Sequence, residues 1–77
     1  MQIVIYSKSN CVNCRVAKDI LNSKGIGFEE RSMEDEHTAY LFTNTYPHAR
    51  QMPQILIEGQ RVGGLAGLQA ALKELGL

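Results

Sequence analysis

Several features that mark large classes of protein are missing from this sequence of 77 residues. It has no apolar run near the roughly 20 residues that a membrane-spanning helix needs, so no membrane association is predicted. Eight Lys and Arg residues balance eight Asp and Glu residues, for a formal net charge of +0. That balance gives no basis for electrostatic capture of nucleic acid. No charged leader with a long apolar segment precedes the strand-like residues at the start, so a cytoplasmic, reducing location is expected.

Cysteine is also scarce: the only two, Cys11 and Cys14, form a single Cys-x-x-Cys motif. In a reducing compartment such a pair is more often catalytic or metal-binding than structural. The motif lies between a short apolar run at residues 3–6 and a stretch with helical periodicity, which places Cys11 at a helix N-terminus. Unpaired N–H groups and the helix dipole favour a thiolate there, and Lys8 and Arg15 add positive charge. Cys11 is thus the expected nucleophile, and Cys14, on the same helix face, the expected resolving thiol.

Two other uses of the cysteine pair stay open at this point. Buried structural thiols are one. A metal site is the other, but tetrahedral zinc needs about four ligands. Only His37 and His48 are available to join the two sulfurs, and their positions do not have the spacing of a zinc finger. No metal ligands are therefore predicted.

Hydrophobic periodicity predicts seven elements in the order β-α-β-α-β-β-α, in one domain covering residues 1–77. The strands are expected at residues 2–6, 28–32, 54–58 and 61–62. The first helix is expected at residues 12–24. The second is expected to open at the cap signature of Ser32 and Asp35 and to run to about residue 45, and the third to run from residue 65 to near residue 76. The first β-α-β unit predicts parallel strands and the closing hairpin antiparallel ones. The result is an α/β fold, a four-stranded mixed sheet flanked by three helices.

Local patterns predict how individual elements begin, end and pack. Ser32 followed by Asp35 resembles an N-cap signature for the second helix. Gly59-Gln60 looks like the two-residue turn of the hairpin. The last helix carries a leucine stripe that is expected to cover the sheet; its members are Leu65, Leu68, Leu72 and Leu75.

Three segments together resemble the glutaredoxin family, whose fold is thioredoxin-like. Residues 6–14 (YSKSNCVNC) are similar to its active-site segment, residues 49–55 (ARQMPQI) to its Thr-Val-Pro segment, and residues 59–65 (GQRVGGL) to its hairpin and Gly-Gly turn. The Cys-Val-x-Cys form looks more like phage-type glutaredoxins and the glutaredoxin-like electron donors of ribonucleotide reductase. The chain also departs from the family after the Gly-Gly turn, where Ala66 and Gly67 stand in place of the usual Asp.

The resemblance implies a dithiol oxidoreductase that holds no tightly bound cofactor and uses glutathione as co-substrate. It implies that the Met52–Pro53 bond is cis, and that Tyr6 flanks the active site as the family's aromatic residue does. The alternative for Tyr6 is a half-buried aromatic at the end of a strand. It also implies a set of residues that contact substrate or glutathione: Lys8, Arg50, Gln51, Met52, Pro53, Gly63, Gly64, Leu65 and Ala66.

The partners implied by the resemblance are disulfide-containing proteins, among which ribonucleotide reductase is the expected client. The chain has no nucleotide- or flavin-binding fingerprint, so an external electron source is needed: glutathione, slightly favoured, or thioredoxin reductase. A monomer is expected. The alternative from another class is a cluster-binding module, because some glutaredoxins bridge an iron–sulfur cluster between two subunits.

Overall fold

The computed structural model describes all 77 residues. Four strands and three helices follow one another along the chain: β1 (Ile3–Ser7), α1 (Val12–Ser23), β2 (Glu29–Ser32), α2 (Glu36–Thr45), β3 (Gln54–Ile57), β4 (Gln60–Gly63) and α3 (Leu65–Glu74). This order confirms the predicted β-α-β-α-β-β-α arrangement, with element ends that differ by one or two residues from those predicted.

The four strands form one mixed sheet in the order β2-β1-β3-β4. β1 runs parallel to β2 and antiparallel to β3, and β3 runs antiparallel to β4. The parallel crossover and the hairpin are therefore both present. β2 is an edge strand with all four residues exposed, and its charged side chains suit an edge that does not pair with other chains.

Side chains alternate between the two faces of the sheet, and each face is covered by different helices. Ile3 and Ile5 of β1 belong to a buried cluster that also contains residues of β3, α1 and α3. On the other face, Tyr6 packs against Phe42 of α2, with ring centroids 4.6 Å apart. Because successive strand residues point to opposite faces, α1 and α3 share the core face and α2 covers the opposite one.

The leucine stripe of α3 is only partly as predicted. Leu68 and Leu72 are buried, and Leu65 is half-buried, but Leu75 is 53% exposed. The helix ends at Glu74, and Leu75 is its C-cap residue. The prediction that Leu75 belongs to the core is therefore wrong: Leu75 still donates its N–H to the Ala71 carbonyl oxygen at 3.0 Å, but it is the C-cap residue and its side chain stays mostly in solvent.

The hairpin turn lies one residue earlier than predicted. Its two central residues are Glu58 and Gly59, with φ values of 51° and 80°, while Gln60 already belongs to β4. Two consecutive residues with positive φ are what a tight hairpin turn requires. The glycine therefore fills the second turn position rather than the first.

The N-cap of α2 is Asp35 and not Ser32. Asp35 Oδ2 accepts hydrogen bonds from the Thr38 N–H at 2.9 Å and from Thr38 Oγ1 at 2.8 Å. Ser32 ends β2, and its hydroxyl accepts a hydrogen bond from the Glu34 N–H at 3.1 Å. The short side chain of Ser32 thus shapes the loop before the helix, and Asp35 satisfies the first turn.

None of the helices is both long and apolar enough to cross a bilayer.

The cap at Asp35 predicts a pH-dependent contribution to stability. The hydrogen bond from the Thr38 backbone N–H lowers the pKa of Asp35 most, and the hydrogen bond from the Thr38 hydroxyl lowers it further. A carboxyl whose pKa is lower in the folded state stabilises the fold above its unfolded pKa, and this contribution disappears as the pH falls through the folded pKa. Asp35→Ala is therefore expected to lower the Tm at pH 7, and the difference from the wild type should shrink towards about pH 2.

Thermal unfolding followed by circular dichroism measures this effect, with Asp35→Asn as the matched control. Asparagine keeps an oxygen acceptor at the N-cap but cannot ionise, so this variant should retain more stability than Asp35→Ala and show a weaker pH dependence. An Asp35→Ala deficit that is the same at both pH values would contradict the account.

Candidate active site

The sulfur of Cys11 sits at the N-terminus of α1, as the periodicity predicted. Cys11 is the N-cap residue, with an extended backbone, and its Sγ accepts a hydrogen bond from the Cys14 N–H at 3.1 Å. The Cys11 carbonyl oxygen accepts the first backbone bond of the helix, from the Arg15 N–H at 3.2 Å. Negative charge on this sulfur is therefore met by a backbone donor and by the positive end of the helix dipole.

Cys11 and Cys14 form a disulfide, with their Cα atoms 5.2 Å apart. The two cysteines differ in exposure. Cys14 is only 2% exposed, while Cys11 is half-buried. Cys11 is therefore the sulfur that an incoming molecule reaches first.

The loop before β3 lies directly against Cys11. Cys11 Sγ is 3.5 Å from the carbonyl oxygen of Met52, and the Met52–Pro53 bond is cis, as the resemblance implied. Two hydrogen bonds tie the loop to β3 and β4. Gln54 Nε2 donates to the Gln51 carbonyl oxygen at 2.8 Å, and Arg61 Nη1 donates to Gln54 Oε1 at 3.1 Å. These bonds hold the loop to β4 and keep the Met52 carbonyl next to the sulfur.

Two open grooves lie at the site, one lined by Cys11 itself and one bordered by its neighbour Met52. The first, here called the helix-side cleft, has a volume of about 510 Å³ and is lined by Lys8, Ser9, Asn10, Cys11, Val12, Cys14, Arg15 and Lys18. The second, the loop-side groove, has a volume of about 410 Å³ and is lined by Lys8, Met33, Thr43, Tyr46, Pro47, Ala49, Arg50 and Met52. Lys8 borders both, so its ammonium group is available to negative charge in either groove.

One wall of the helix-side cleft is fixed by a polar network that the sequence did not reveal. Glu30 Oε2 accepts hydrogen bonds from Ser7 Oγ at 2.7 Å and from Lys18 Nζ at 2.9 Å. The hydrogen bond from the Ser7 hydroxyl lowers the pKa of Glu30 most, and the hydrogen bond from Lys18 lowers it further. The three residues come from β1, α1 and β2, so only the assembled fold brings them together.

The structure brings most of the predicted binding residues to the neighbourhood of Cys11. Lys8 and Arg50 meet in the loop-side groove, and Met52 joins them there. The Gly-Gly turn contributes on the other side of the proline: a Cβ at Gly64 would lie 3.3 Å from the Pro53 carbonyl oxygen. Gly63, the half-buried Leu65 and the exposed Ala66 continue the chain on either side of that contact.

Two predicted residues lie elsewhere. The exposed side chain of Gln51 lines neither groove. Tyr6 also lines neither, because it belongs to the sheet face under α2, where it packs on Phe42 and its hydroxyl accepts a hydrogen bond from Arg31 Nη1 at 3.0 Å. The role beside the cysteines that the resemblance implied for Tyr6 is therefore not supported, and the alternative of a half-buried aromatic at the end of a strand fits.

Gly67 emerges as a structural requirement that sequence reasoning missed. A Cβ at this position would overlap the carbonyl group of Val62 in β4. The first turn of α3 thus presses directly on the backbone of the hairpin. The sequence alone showed only that Gly67 stands where the family usually has another residue.

His37 and His48 are both exposed. No group of three or more His, Cys, Asp or Glu side chains is arranged to hold a metal ion.

Comparison with known proteins gives consistent matches. A family model described as Glutaredoxin matches residues 3–62. Glutaredoxin 3 of Escherichia coli (strain K12) is 32% identical over 68 residues, which are 88% of this chain and 82% of that protein. The structure of glutaredoxin 1 from Francisella tularensis complexed with cacodylate has a TM-score of 0.77 at 25% identity, covering 99% of this chain and 98% of that one.

A crystal structure of a buckwheat glutaredoxin–glutathione complex is similar in fold, with a TM-score of 0.76 at 17% identity, covering 94% of this chain and 68% of that one. Together with thioredoxin-like structural neighbours, these matches confirm the predicted thioredoxin-like fold.

The close contact at Gly67 predicts a large effect of one methyl group. Alanine normally stabilises a helix relative to glycine by about 1 kcal/mol, but at position 67 the new Cβ must displace the backbone of β4. Overpacking of this kind costs roughly 1–3 kcal/mol. Gly67→Ala is therefore expected to lower the free energy of unfolding in urea titrations.

Gly27→Ala is the matched control, because no atom lies within 4 Å of a Cβ built there. That variant should unfold at nearly the urea concentration of the wild type. Equal stabilities for Gly67→Ala and Gly27→Ala would show that α3 does not rest on the hairpin as described.

Proposed function

Since the chain belongs to the glutaredoxin family and is a thiol–disulfide oxidoreductase, we propose that it reduces protein disulfides and mixed disulfides with glutathione, with Cys11 as nucleophile and Cys14 as resolving thiol. The observation that carries this proposal is the placement of Cys11 Sγ at the helix N-terminus, more exposed than its partner.

In the first step the Cys11 thiolate attacks one sulfur of the client disulfide. A bond forms between Cys11 Sγ and that sulfur, the client disulfide breaks, and the other client sulfur leaves as a thiolate that takes up a proton. The Cys14 N–H, the helix dipole, Lys8 and Arg15 all favour the thiolate form of Cys11 over the thiol. The sulfur is thereby reactive without a separate general base.

In the second step Cys14, after losing its proton, attacks Cys11 Sγ. The Cys11–Cys14 disulfide forms, and the second client sulfur leaves as a thiol. Two electrons have then passed from the dithiol to the client. The observed disulfide is the product of this step, and the low exposure of Cys14 protects it from attack by other molecules.

Met52 supplies a docking edge for the client backbone. It lies outside β3, and neither its N–H nor its C=O makes a backbone hydrogen bond within the chain. An extended client segment can therefore pair with these groups, as a strand adds to a sheet edge. Because the Met52 carbonyl is 3.5 Å from Cys11 Sγ, such pairing brings a client cysteine to the sulfur.

Glutathione recharges the protein in the glutaredoxin cycle, and the loop-side groove is its proposed site. Lys8 and Arg50 present two cations to its glycine carboxylate, while the amides after Gly63-Gly64, at Leu65 and Ala66, face the site for its γ-glutamyl end. One glutathione thiolate attacks Cys11 Sγ, freeing Cys14. A second then attacks the glutathione sulfur, releasing oxidised glutathione and the reduced protein.

In the cell we place the protein in the cytoplasm, as a monomeric electron donor to ribonucleotide reductase. A second electron source, thioredoxin reductase, is favoured by specific residues. Val12 and Asn13 between the cysteines, and Ala66 and Gly67 after the turn, resemble the reductase-linked donors rather than the glutathione-linked ones. The cations Lys8 and Arg50 favour glutathione.

The two cysteines are expected to respond differently to substitution. Cys11→Ser should abolish reduction of every disulfide, because it removes the nucleophile. Cys14→Ser should reduce protein disulfides at least about tenfold more slowly, while still exchanging with a glutathione mixed disulfide, where a second glutathione replaces the resolving thiol. Equal loss in both variants on both substrates would contradict the assigned roles.

The electron source is tested in an NADPH-coupled assay on a small mixed disulfide. One arm contains glutathione and glutathione reductase, and the other contains thioredoxin reductase alone. We expect faster turnover in the first arm. Turnover confined to the second would overturn the glutathione assignment, while absence of turnover in both would overturn the proposed function.

A further inference from the structure

Positive charge is concentrated on the side of Cys11 that faces α1. Three of the eight basic residues of the chain line the helix-side cleft, namely Lys8, Arg15 and Lys18. No acidic side chain lines it. Two carboxylates stand behind its wall and rim: Glu30 holds Lys18, and Glu34 accepts a hydrogen bond from Ser9 Oγ at 2.6 Å. A chain with no net charge thus presents a cationic surface beside its reactive disulfide.

This cleft contains the reacting sulfurs but lies apart from the surfaces that the proposed function assigns to the client backbone and to glutathione. The Met52 edge and the Arg50 cation lie on the loop side of Cys11, and only Lys8 borders both grooves. A client segment that pairs with Met52 continues past the sulfur in one direction along the loop side. We expect its residues on the other side of the client cysteine to lie towards the helix-side cleft, because Cys11 itself lines that cleft.

We propose that the helix-side cleft binds acidic side chains of the client polypeptide, next to the client's reactive cysteine, through Arg15 and Lys18. This inference rests on the proposed function and adds the substrate class that it prefers. The two residues are three positions apart on α1, about 4.5 Å along the helix axis. Cations spread in this way over an open cleft suit a chain segment with successive carboxylates better than a single small anion.

Glu30 sets the strength of this preference. Its carboxylate accepts from the buried Ser7 hydroxyl and holds Lys18 Nζ at 2.9 Å. It therefore fixes the position of the ammonium group and also offsets part of its charge. Removing the charge of Lys18 and removing the charge of Glu30 should consequently change the preference for acidic clients in opposite directions.

The acidic segment takes no part in the bond changes. The client disulfide is reduced to two thiols and the Cys11–Cys14 dithiol is oxidised to the disulfide, as in the steps above. Opposite charges near the reacting sulfurs instead speed the encounter, and they do so most at low ionic strength.

The test uses the reduced protein and two sets of three synthetic peptides that share one internal disulfide. In the first set, two Glu, two Gln or two Lys residues follow one of the peptide cysteines. In the second set, the same residues precede that cysteine. Acid quenching and chromatography of the peptide thiols give the rate constants. We expect the acidic peptide to react about three- to tenfold faster than the neutral one at low salt, and this ratio to fall towards one at about 0.5 M salt.

Variants then locate the effect. Lys18→Gln should lower the acidic-to-neutral ratio about two- to fivefold, and Glu30→Gln should raise it. Lys24→Gln is the matched control: it makes the same change in the residue that caps the other end of α1, which lines a different pocket. Circular dichroism and formation of the Cys11–Cys14 disulfide check that each variant is folded.

A wild-type ratio near one, or equal ratios for Lys18→Gln and Lys24→Gln, would overturn this inference while leaving the proposed function intact. Failure to reduce any of the peptides would overturn the proposed function and this inference with it. A ratio lowered by Lys18→Gln and raised by Glu30→Gln would support both.

Discussion

The sulfur of Cys11 replaces the usual hydroxyl or carboxylate of an N-cap residue, and the active site is arranged around that position. It accepts the Cys14 N–H at 3.1 Å and lies 3.5 Å from the Met52 carbonyl oxygen. The first contact comes from the helix and the second from the loop before β3. A charged sulfur is thus stabilised by the Cys14 N–H and the helix N-terminus, while the Met52 carbonyl, which cannot donate, places the group that would hold a client beside it.

Much of this arrangement could be predicted from the sequence, because the relevant signals are local. The apolar run before Cys11 and the helical spacing after it set the sulfur at a strand-to-helix junction. The spacing of Cys14 placed the second sulfur within bonding reach. The alternation of strand and helix patterns gave the mixed sheet of the thioredoxin-like fold. The cis bond at Met52–Pro53 followed from the family resemblance and not from local propensity.

What could not be predicted depends on contacts between distant segments. The bonds from Ser7 and Lys18 to Glu30 join three elements, and neither Lys18 nor Glu30 stands in a motif. The contact of Gly67 with Val62 depends on how closely α3 approaches the hairpin. Turn and cap positions were missed by smaller margins, as with Asp35, because several polar residues near a helix start can serve as the cap.

The central claim is that the folded structure, and not cysteine chemistry alone, makes Cys11 the reactive sulfur. The most direct measurement is the pH dependence of iodoacetamide alkylation of the reduced protein, with the modified residue identified by peptide mapping. In the folded protein we predict that Cys11 reacts first and that the midpoint of its reactivity lies at lower pH than in the same chain unfolded in urea. The same midpoint in both states, or faster modification of Cys14, would contradict the account.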